Sequence, residues 1–270
     1  MAPSLSEAQI AELNATFDRL AMQLSKVHLH KHTIQLLNRS KGGGVRYSPG
    51  GSGVLVQKDD HYFIFTAAHV TANLDQEGLF VNTRIGVRHI KGTVNETDYE
   101  RDRMVDIAYL ELERPFALLL AESYTFLPFA KIEEGHHPTA DARYMVSGYP
   151  EVNIWVDQAT HTVTTGTSHF LLAMANDRPY EYYHIPPEAC FVLNFGGAGF
   201  DLETGKKEKG IKDPYGVSGC GLWRLIITWN RGKMELDYRL IGIMFLVKKA
   251  KYHVLVGNRI EVLTQAIIAG

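Results

Sequence analysis

Residues 213–223 of the chain read DPYGVSGCGLW, so that a serine stands in a short segment containing three glycines. Glycine tolerates the tight backbone turns that bring neighbouring amide groups close together. Amides placed beside a serine hydroxyl can stabilise the negative charge that develops on a carbonyl oxygen under attack. Ser218 is therefore a candidate nucleophile, in a turn suited to an oxyanion hole.

Two further segments supply the groups that such a serine needs. A serine hydroxyl is a poor nucleophile at neutral pH until an imidazole accepts its proton, and a carboxylate must hold that imidazole in the correct tautomer. Residues 65–70 read FTAAHV, a predicted strand end followed by His69, and residues 106–112 read DIAYLEL, an alternating strand pattern that Asp106 opens. His69 is the candidate base and Asp106 the candidate orienting carboxylate.

In their order along the chain and in their local sequence, these segments resemble the chymotrypsin-like (trypsin-like) serine peptidases. Those peptidases have the sequence TAAHC around the base, DIAL around the acid and GDSGGPL around the nucleophile. The matching segments are residues 66–70, 106–109 and 216–222, and the resemblance covers about residues 45–268. It implies a triad of His69, Asp106 and Ser218, and an oxyanion hole built from the amides of Gly216 and Ser218. The implied reaction is peptide hydrolysis through an acyl-enzyme, without a metal ion or an organic cofactor.

Three positions depart from the family pattern. Val217 stands where many members have the aspartate that pairs with a newly cut N-terminus, so the resemblance is closer to bacterial members without such activation. Cys220 is a rival nucleophile by analogy with viral cysteine variants, but choosing Ser218 matches the following glycines better. Phe245 replaces a serine that supports the buried aspartate in many relatives, so backbone amides near His69 are expected to hold Asp106.

The specificity pocket is predicted from the same resemblance. Its floor falls at Lys212, next to Asp213, and one wall includes Val247, which replaces a frequent glycine. A branched residue narrows the pocket, which favours small or aliphatic side chains before the cut bond. An acidic side chain is the alternative if Lys212 points inward.

Composition excludes several other classes of protein. The chain has 270 residues, with 45% hydrophobic and 21% charged residues, as in ordinary globular proteins. Its net charge of -2 gives no overall field for nucleic acid or an acidic membrane surface. Only Cys190 and Cys220 occur, so a disulfide-braced secreted domain is excluded. No secretory signal or membrane span is visible in the sequence, and we expect a soluble, cytoplasmic protein.

The N-terminal segment carries a helical pattern. Residues 6–28 place apolar side chains at alternating steps of three and four, with Ser4 and Glu7 or Ser6 and Gln9 as a capping box. Packing of this helix against the protein's own body is favoured over a short dimerising coiled coil. It is also the expected docking site for a regulatory protein or for self-association. The three histidines that follow are spaced as on a strand, and no Cys or carboxylate joins them as metal ligands: His28, His30 and His32.

The remainder of the chain has the pattern of many short antiparallel strands. Strands are predicted at residues 53–57, 62–66, 85–90, 107–112, 143–148, 161–172, 190–194, 221–229 and 240–247, and a helix at 258–269. The expected fold is all-β, with two antiparallel six-stranded β-barrels, an N-terminal amphipathic helix and a C-terminal helix. The predicted division is a helical extension (1–40), a first barrel with His69 and Asp106 (41–135), and a second barrel with Ser218 and the terminal helix (136–270).

These observations favour an intracellular serine endopeptidase acting on polypeptides, with restricted specificity or activity gated by a partner. Two other functions fit the same residues. One is a catalytically silent, peptidase-like binding or scaffold protein, and the other is an esterase-like hydrolase that uses the same triad.

Overall fold

The computed structural model describes residues 6–39, 47–72, 78–98, 104–139, 142–157, 162–195, 198–200, 207–209 and 215–269. Strands dominate these segments and form two large, curled sheets, with a helix at each end of the chain. Apart from one short parallel pairing, every strand pair in the two sheets is antiparallel. This is the predicted chymotrypsin-like fold, which is therefore confirmed.

The first sheet runs in the order β5-β4-β1-β2-β3-β7-β6, and β8 pairs in parallel with β2. Its eight strands exceed the six predicted because β1 comes from the N-terminal segment and because several strands are very short. The strands are β1 (Thr33–Arg39), β2 (Tyr47–Lys58), β3 (His61–Thr66), β4 (Leu79–Thr83), β5 (Gly86–His89), β6 (Gly92–Glu96), β7 (Ala108–Leu112) and β8 (Leu127–Pro128).

The second sheet has six strands in the order β12-β9-β16-β17-β18-β13. Two separate hairpins pair β10 with β11 and β14 with β15. The bounds are β9 (Arg143–Gly148), β10 (Ile154–Asp157), β11 (Thr162–Thr165), β12 (Ser168–Leu172), β13 (Cys190–Asn194), β14 (Ala198–Phe200), β15 (Lys207–Lys209), β16 (Gly221–Asn230), β17 (Lys233–Lys248) and β18 (Val254–Arg259).

Helices are confined to the ends of the chain and to short connections. A π-helical turn (Ser25–Leu29) joins the N-terminal helix to the short helix that follows it. Turns of 3-10 helix lie at Phe129–Lys131 and Glu151–Asn153. None of the described helices is long and apolar enough to cross a membrane. The α-helices are α1 (Glu7–Leu24), α2 (His30–His32), α3 (Ala68–Thr71), α4 (Arg114–Ala121), α5 (Asp177–Tyr183) and α6 (Glu261–Ala269).

The N-terminal helix packs against the body of the protein. Its capping box uses Ser6 and Gln9, whose side chains each bond the other residue's backbone amide, whereas Ser4 lies outside the described residues. The buried face of α1 joins an apolar cluster to which both large sheets and α6 contribute. Members of this cluster include Phe17, Ala21 and Leu24 of α1, Val54 and Phe65 of the first sheet, Trp223 and Leu240 of the second, and Leu263 of α6.

The strand spacing read from His28, His30 and His32 is wrong. All three lie in helical turns, and the chain becomes extended only at Thr33, where φ is -97° and ψ is 130°. The strand β1 then follows inside the segment predicted as a helical extension. Its first five residues are all buried, and polar and apolar residues alternate over only the first four of them, from Thr33 to Leu36.

Two other predicted elements differ in their bounds. The strand predicted at residues 161–172 is divided between β11 and β12, and residue 161 lies outside the described segments. The terminal helix starts at Glu261 rather than at Asn258, which belongs to β18.

A buried histidine makes the stability of this fold sensitive to acid. His169 on β12 is buried, and its Nδ1 lies 2.8 Å from the hydroxyl of Ser147 on β9. Burial, together with the smaller effects of the nearby His30 and Lys26, lowers the pKa of His169 to about 3. The folded protein therefore keeps this ring neutral at a pH where the unfolded chain, with an ordinary pKa of 6.5, takes up a proton.

We expect the free energy of unfolding to fall as the pH drops from about 6.5 toward 3, because His169 resists protonation only in the folded state. The slope attributable to His169 approaches about 1.4 kcal/mol per pH unit below the unfolded pKa. Urea unfolding at several pH values tests this, with His169→Gln as a variant that cannot take up the proton. An identical pH slope for wild type and variant would contradict the prediction.

Candidate active site

The residue His69 lies just beyond the end of β3. That strand stops at Thr66, and Ala67 is extended before the chain turns into α3, a single helical turn closed by a bond from the Val70 amide to the Ala67 carbonyl. Ala67 and Ala68 are fully buried, so the small side chains let the turn sit against the sheet. The His69 side chain is left 37% exposed.

The carboxylate of Asp106 holds His69 through two bonds. The His69 amide donates to Oδ1 at 2.9 Å, and Nδ1 of the ring lies 2.6 Å from Oδ2. Asp106 is buried, and its support by the His69 backbone amide is the arrangement expected from the sequence. With Nδ1 as the donor, Nε2 of the neutral ring is free to accept a proton.

A residue that the sequence analysis missed fixes the backbone of Asp106. Asn258 on β18 is fully buried, and its Oδ1 accepts the Asp106 amide at 2.9 Å. Its Nδ2 donates to the Met104 carbonyl at 2.6 Å. A strand of the second sheet thus fastens the loop of the first sheet that carries the acid. The signal available in the sequence was a single amide side chain directly after the apolar run 254–257.

The turn around Ser218 is held by both sheets. The Ser218 carbonyl accepts the amide of Ser52 on β2 at 2.8 Å, and the Gly219 amide donates to Met244 on β17 at 2.7 Å. The hydroxyl of Ser52 also donates to the Gly216 carbonyl at 2.9 Å. Gly216 and Gly219 have φ of +92° and +85°, so both occupy backbone conformations that favour glycine.

The Ser218 hydroxyl itself is half-buried, and its Oγ lies 3.4 Å from the Phe245 carbonyl. Among the described residues it makes no hydrogen bond to His69. Nor do the Gly216 and Ser218 amides donate to any described residue, so both are available to an oxygen of a bound substrate. Hydrogen bonds of a catalytic site are often long in the absence of substrate and shorten when it binds.

Cys220 and Val217, two of the positions that depart from the family pattern, are both buried. Cys220 is fully buried, and burial raises the pKa of its thiol well above the ordinary range, so the reactive thiolate does not form at neutral pH. Val217 is buried in the apolar cluster of the second sheet, beside Tyr144 and Leu222. A charged side chain at Val217 would therefore enter an apolar environment.

The predicted pocket is only partly described. Lys212 and Asp213 lie outside the described residues, whereas Val247 is half-buried on β17 and pairs with Leu255 of β18. Pairing of β17 with β16 ends at Ile243, opposite Gly221. The other edge of β17 beyond Met244 is therefore unpaired among the described residues, and it begins where the Phe245 carbonyl meets Ser218. We call residues 245–248 the free edge.

Phe245 is the bulged residue of this edge, since the register with β18 shifts between Met244 and Leu246. Its ring is buried in the apolar cluster that includes Val70, Val192 and Val256. Its side chain thus packs on apolar groups, and the support of Asp106 comes from His69 and Asn258. Among the described residues, no cluster of three or more His, Cys, Asp or Glu could hold a metal ion.

Comparison with known proteins places the chain by its fold. No protein-family model matches the chain, and no curated protein matches it in sequence. A solved scabies mite inactivated protease paralogue, S-I1, is 16% identical with a TM-score of 0.53, over 89% of this chain and 95% of that one. Human heparin binding protein is 14% identical with a TM-score of 0.53, over 89% and 91%. A second scabies mite inactivated protease paralogue, S-D1, is 13% identical with a TM-score of 0.51, over 89% and 93%.

The fold of the chain is thus that of the chymotrypsin-like serine proteases. At these identities the likeness shows the fold alone, and activity has to be argued from the residues of the cleft.

Proposed function

We propose that this chain is a serine endopeptidase that uses Ser218 as nucleophile, His69 as general base and Asp106 as the residue that orients His69. The observation that carries the proposal is the two-bond contact of Asp106 with the ring and backbone of His69. It selects the tautomer whose Nε2 accepts a proton, and the serine in the glycine-flanked turn is the proposed donor of that proton. The Gly216 and Ser218 amides, which donate to no described residue, supply the oxyanion hole in this proposal.

In the proposed mechanism, Ser218 Oγ attacks the carbonyl carbon of the peptide bond while His69 Nε2 takes its proton. The tetrahedral oxyanion is stabilised by the two amides, which replace water as hydrogen-bond donors without having to reorganise. The intermediate collapses as the imidazolium gives its proton to the leaving amine. Water, activated by the same imidazole, then hydrolyses the acyl-enzyme.

Position in the turn supports Ser218 over Cys220 as the nucleophile. The Ser218 hydroxyl is half-buried at the cleft, whereas the Cys220 thiol is fully buried and its pKa is raised. A thiol that is both inaccessible and protonated is a poor nucleophile.

The second candidate is a binding or scaffold protein in which the same cleft grips a peptide without cutting it. The bond of Ser218 Oγ to the Phe245 carbonyl, and the lack of one to His69 among the described residues, favour this candidate. Two of the structures that share the fold are named as inactivated protease paralogues. An esterase-like hydrolase with the same three residues is a third candidate, distinguished by its failure to cut peptides.

We extend the proposal to an enzyme that needs no N-terminal cleavage, as in bacterial members of the fold, and that works in the cytoplasm. Burial of Val217 among apolar side chains supports the first part, because a new N-terminus finds no carboxylate partner there. Two buried cysteines without a disulfide between them are compatible with a reducing compartment. Restricted specificity, or gating by a partner at α1, would protect neighbouring proteins from digestion.

A fluorophosphonate probe tests the proposal directly. We expect the folded wild-type protein to be labelled near pH 7.5 on Ser218, and the Ser218→Ala variant to give no labelling. Intact-mass analysis is expected to find the probe on a chain whose N-terminus is uncut. Cys220→Ala serves as the matched variant and should label like wild type.

Absence of labelling in folded wild-type protein would favour the binding protein over both hydrolases. Labelling without cleavage of any member of a peptide library would favour the esterase. Labelling that appears only after N-terminal cleavage would contradict the proposal on activation.

A further inference from the structure

The free edge of β17 leads directly into a cluster of lysines. Lys248 ends the strand, and Lys249 and Lys251 follow in the connection to β18. Lys249 and Lys251 are exposed and Lys248 is half-buried. Strand residues advance about 3.3 Å each, so Lys248 lies about 10 Å along the edge from Phe245. We call residues 248–251 the lysine turn.

Aromatic side chains fix the lysine turn in place. The Tyr183 hydroxyl, at the end of α5, donates to the Tyr252 carbonyl at 2.8 Å and accepts the Tyr252 amide at 3.1 Å. The Lys251 ammonium lies 5.1 Å from the ring centre of Tyr182 and 5.5 Å from that of Tyr252. Cation–π contacts at these distances orient the ammonium without neutralising its charge. The positive charges are therefore positioned before any ligand arrives.

The same turn reaches the segment that carries Ser218. Lys249 lies 5.6 Å from the ring centre of Tyr215, which is 64% exposed and directly precedes Gly216. The turn around Ser218 and the free edge are thus linked by this contact between Lys249 and Tyr215. A peptide that lies along the free edge must pass close to the lysine turn.

The acidic side chains of the neighbouring helix α5 line a cavity that is separate from the lysine turn. Among the described residues, neither Lys248 nor Lys251 forms an ion pair. Asp177 and Glu181 of α5 line a cavity of about 600 Å³ together with Arg259, and the lysine turn does not border that cavity. Lys248 and Lys251 consequently present a local excess of positive charge on a protein whose net charge is -2.

We propose that the substrates are polypeptides with clustered Asp or Glu residues on the N-terminal side of the cut bond. This inference rests on the proposed function. All the strand pairs of the second sheet are antiparallel, and a peptide added to the free edge in the same sense runs from Lys248 toward Phe245. The residues that precede the cut bond then face Val247 and Lys248, and earlier ones face Lys251.

Charge complementarity at the lysine turn affects both the capture of a peptide and the register in which the peptide binds along the free edge. Exposed charges of opposite sign steer a peptide toward the cleft, and the effect weakens as salt shortens the screening length from about 10 Å at 0.1 M. Main-chain bonds along the free edge accept any sequence, so the carboxylates supply the selectivity. We expect acidic residues to be enriched about three to six positions before the cut, where the peptide passes the lysine turn.

The test compares wild type with the double variant Lys248→Glu/Lys251→Glu and its neutral counterpart Lys248→Gln/Lys251→Gln. Two peptide pools are used, one with Glu and one with Gln at the third to sixth positions before the bond and with randomised residues elsewhere. The matched control is Lys233→Glu, an exposed lysine at the opposite end of β17.

At low ionic strength, we expect the kcat/KM of wild type for the Glu pool to be about tenfold higher than its kcat/KM for the Gln pool. This preference should weaken in about 0.5 M salt. The Gln variant should lose the preference, the Glu variant should reverse it, and Lys233→Glu should retain it. Labelling of each variant by the fluorophosphonate probe shows whether its cleft is intact.

Binding of fluorescein-labelled pools to the Ser218→Ala variant keeps this inference separate from the proposed function. If wild type is not labelled but Ser218→Ala binds the Glu pool selectively through the two lysines, peptidase activity fails and acidic recognition stands. If wild type reacts with the probe but cuts the two pools equally, and Ser218→Ala binds them equally, the inference alone is overturned. Binding of heparin that depends on Lys248 and Lys251, without discrimination between the pools, would also overturn it and indicate a polyanion site.

Discussion

Replacing Asp106 by Asn is expected to lower kcat for peptide hydrolysis by about four orders of magnitude while leaving the fold intact. The carboxylate now holds the ring by accepting from Nδ1 at 2.6 Å and from the His69 amide at 2.9 Å. An amide that turns its NH₂ group toward Nδ1 selects the opposite tautomer, in which Nε2 carries the proton. His69 then cannot accept the proton of Ser218, although all the heavy atoms stay in place.

The matched control for this change is Asp237→Asn. Asp237 also bonds to cations, with Lys131 at 2.5 Å and Arg239 at 2.6 Å. Burial raises the pKa of Asp237, but these bonds and the one from the Tyr238 amide outweigh it and lower the pKa to about 2. It lies on β17 well before the free edge, so its loss is expected to reduce stability slightly and to leave kcat unchanged. Steady-state kinetics of both variants on one peptide, with thermal unfolding as a check, decide the matter. A kcat for Asp106→Asn within tenfold of wild type would falsify the assigned role of Asp106.

Replacing Gly219 by Ala is expected to lower the free energy of unfolding by about 4 kcal/mol. A Cβ at this position would lie 2.0 Å from the Ser52 carbonyl oxygen and 2.2 Å from the Thr66 hydroxyl. The first of these contacts is with backbone, so relief requires the turn and β2 to separate. The φ of +85° adds the strain of a left-handed conformation.

The variant Gly232→Ala separates the contribution of backbone strain from the contribution of close Cβ contacts. Gly232 has a φ of +77° at the tip of the β16–β17 hairpin, and no atom of the described residues lies within 4 Å of the position that a Cβ would take there. Its replacement should cost about 1 kcal/mol, from backbone strain alone. Urea unfolding of the two variants measures the difference. Equal losses of stability would show that the contact with Ser52 is not close in solution.

The sequence predicted the structure best in the segments that match a recurring sequence motif. The segments around His69, Asp106 and Ser218 predicted the fold because, in this order, they resemble the three motifs of the chymotrypsin-like peptidases. The strand β1 was not predicted in this way, because polar and apolar residues alternate there over only four positions, from Thr33 to Leu36, directly after a helical pattern. The helix α4 was missed for a related reason, since its apolar residues are nearly continuous.

The support of Asp106 by Asn258 is of a different kind. The two residues are separated by 152 positions, and their bond exists only because a strand of one sheet meets a loop of the other. No local pattern carries such information. The sequence did predict that a backbone amide near His69 would hold Asp106, because Phe245 offers no hydroxyl.

The position of the Ser218 turn between the two sheets also suggests how this protein could be switched off. Its carbonyl is bonded to Ser52 of one sheet, and the next amide to Met244 of the other. Any movement that widens the gap between the sheets must break one of these bonds, and loss of the Ser52 bond would leave the Ser218 turn with the second sheet, away from His69 of the first. A ligand wedged between the sheets, far from the peptide-binding edge, would thus act as a noncompetitive inhibitor.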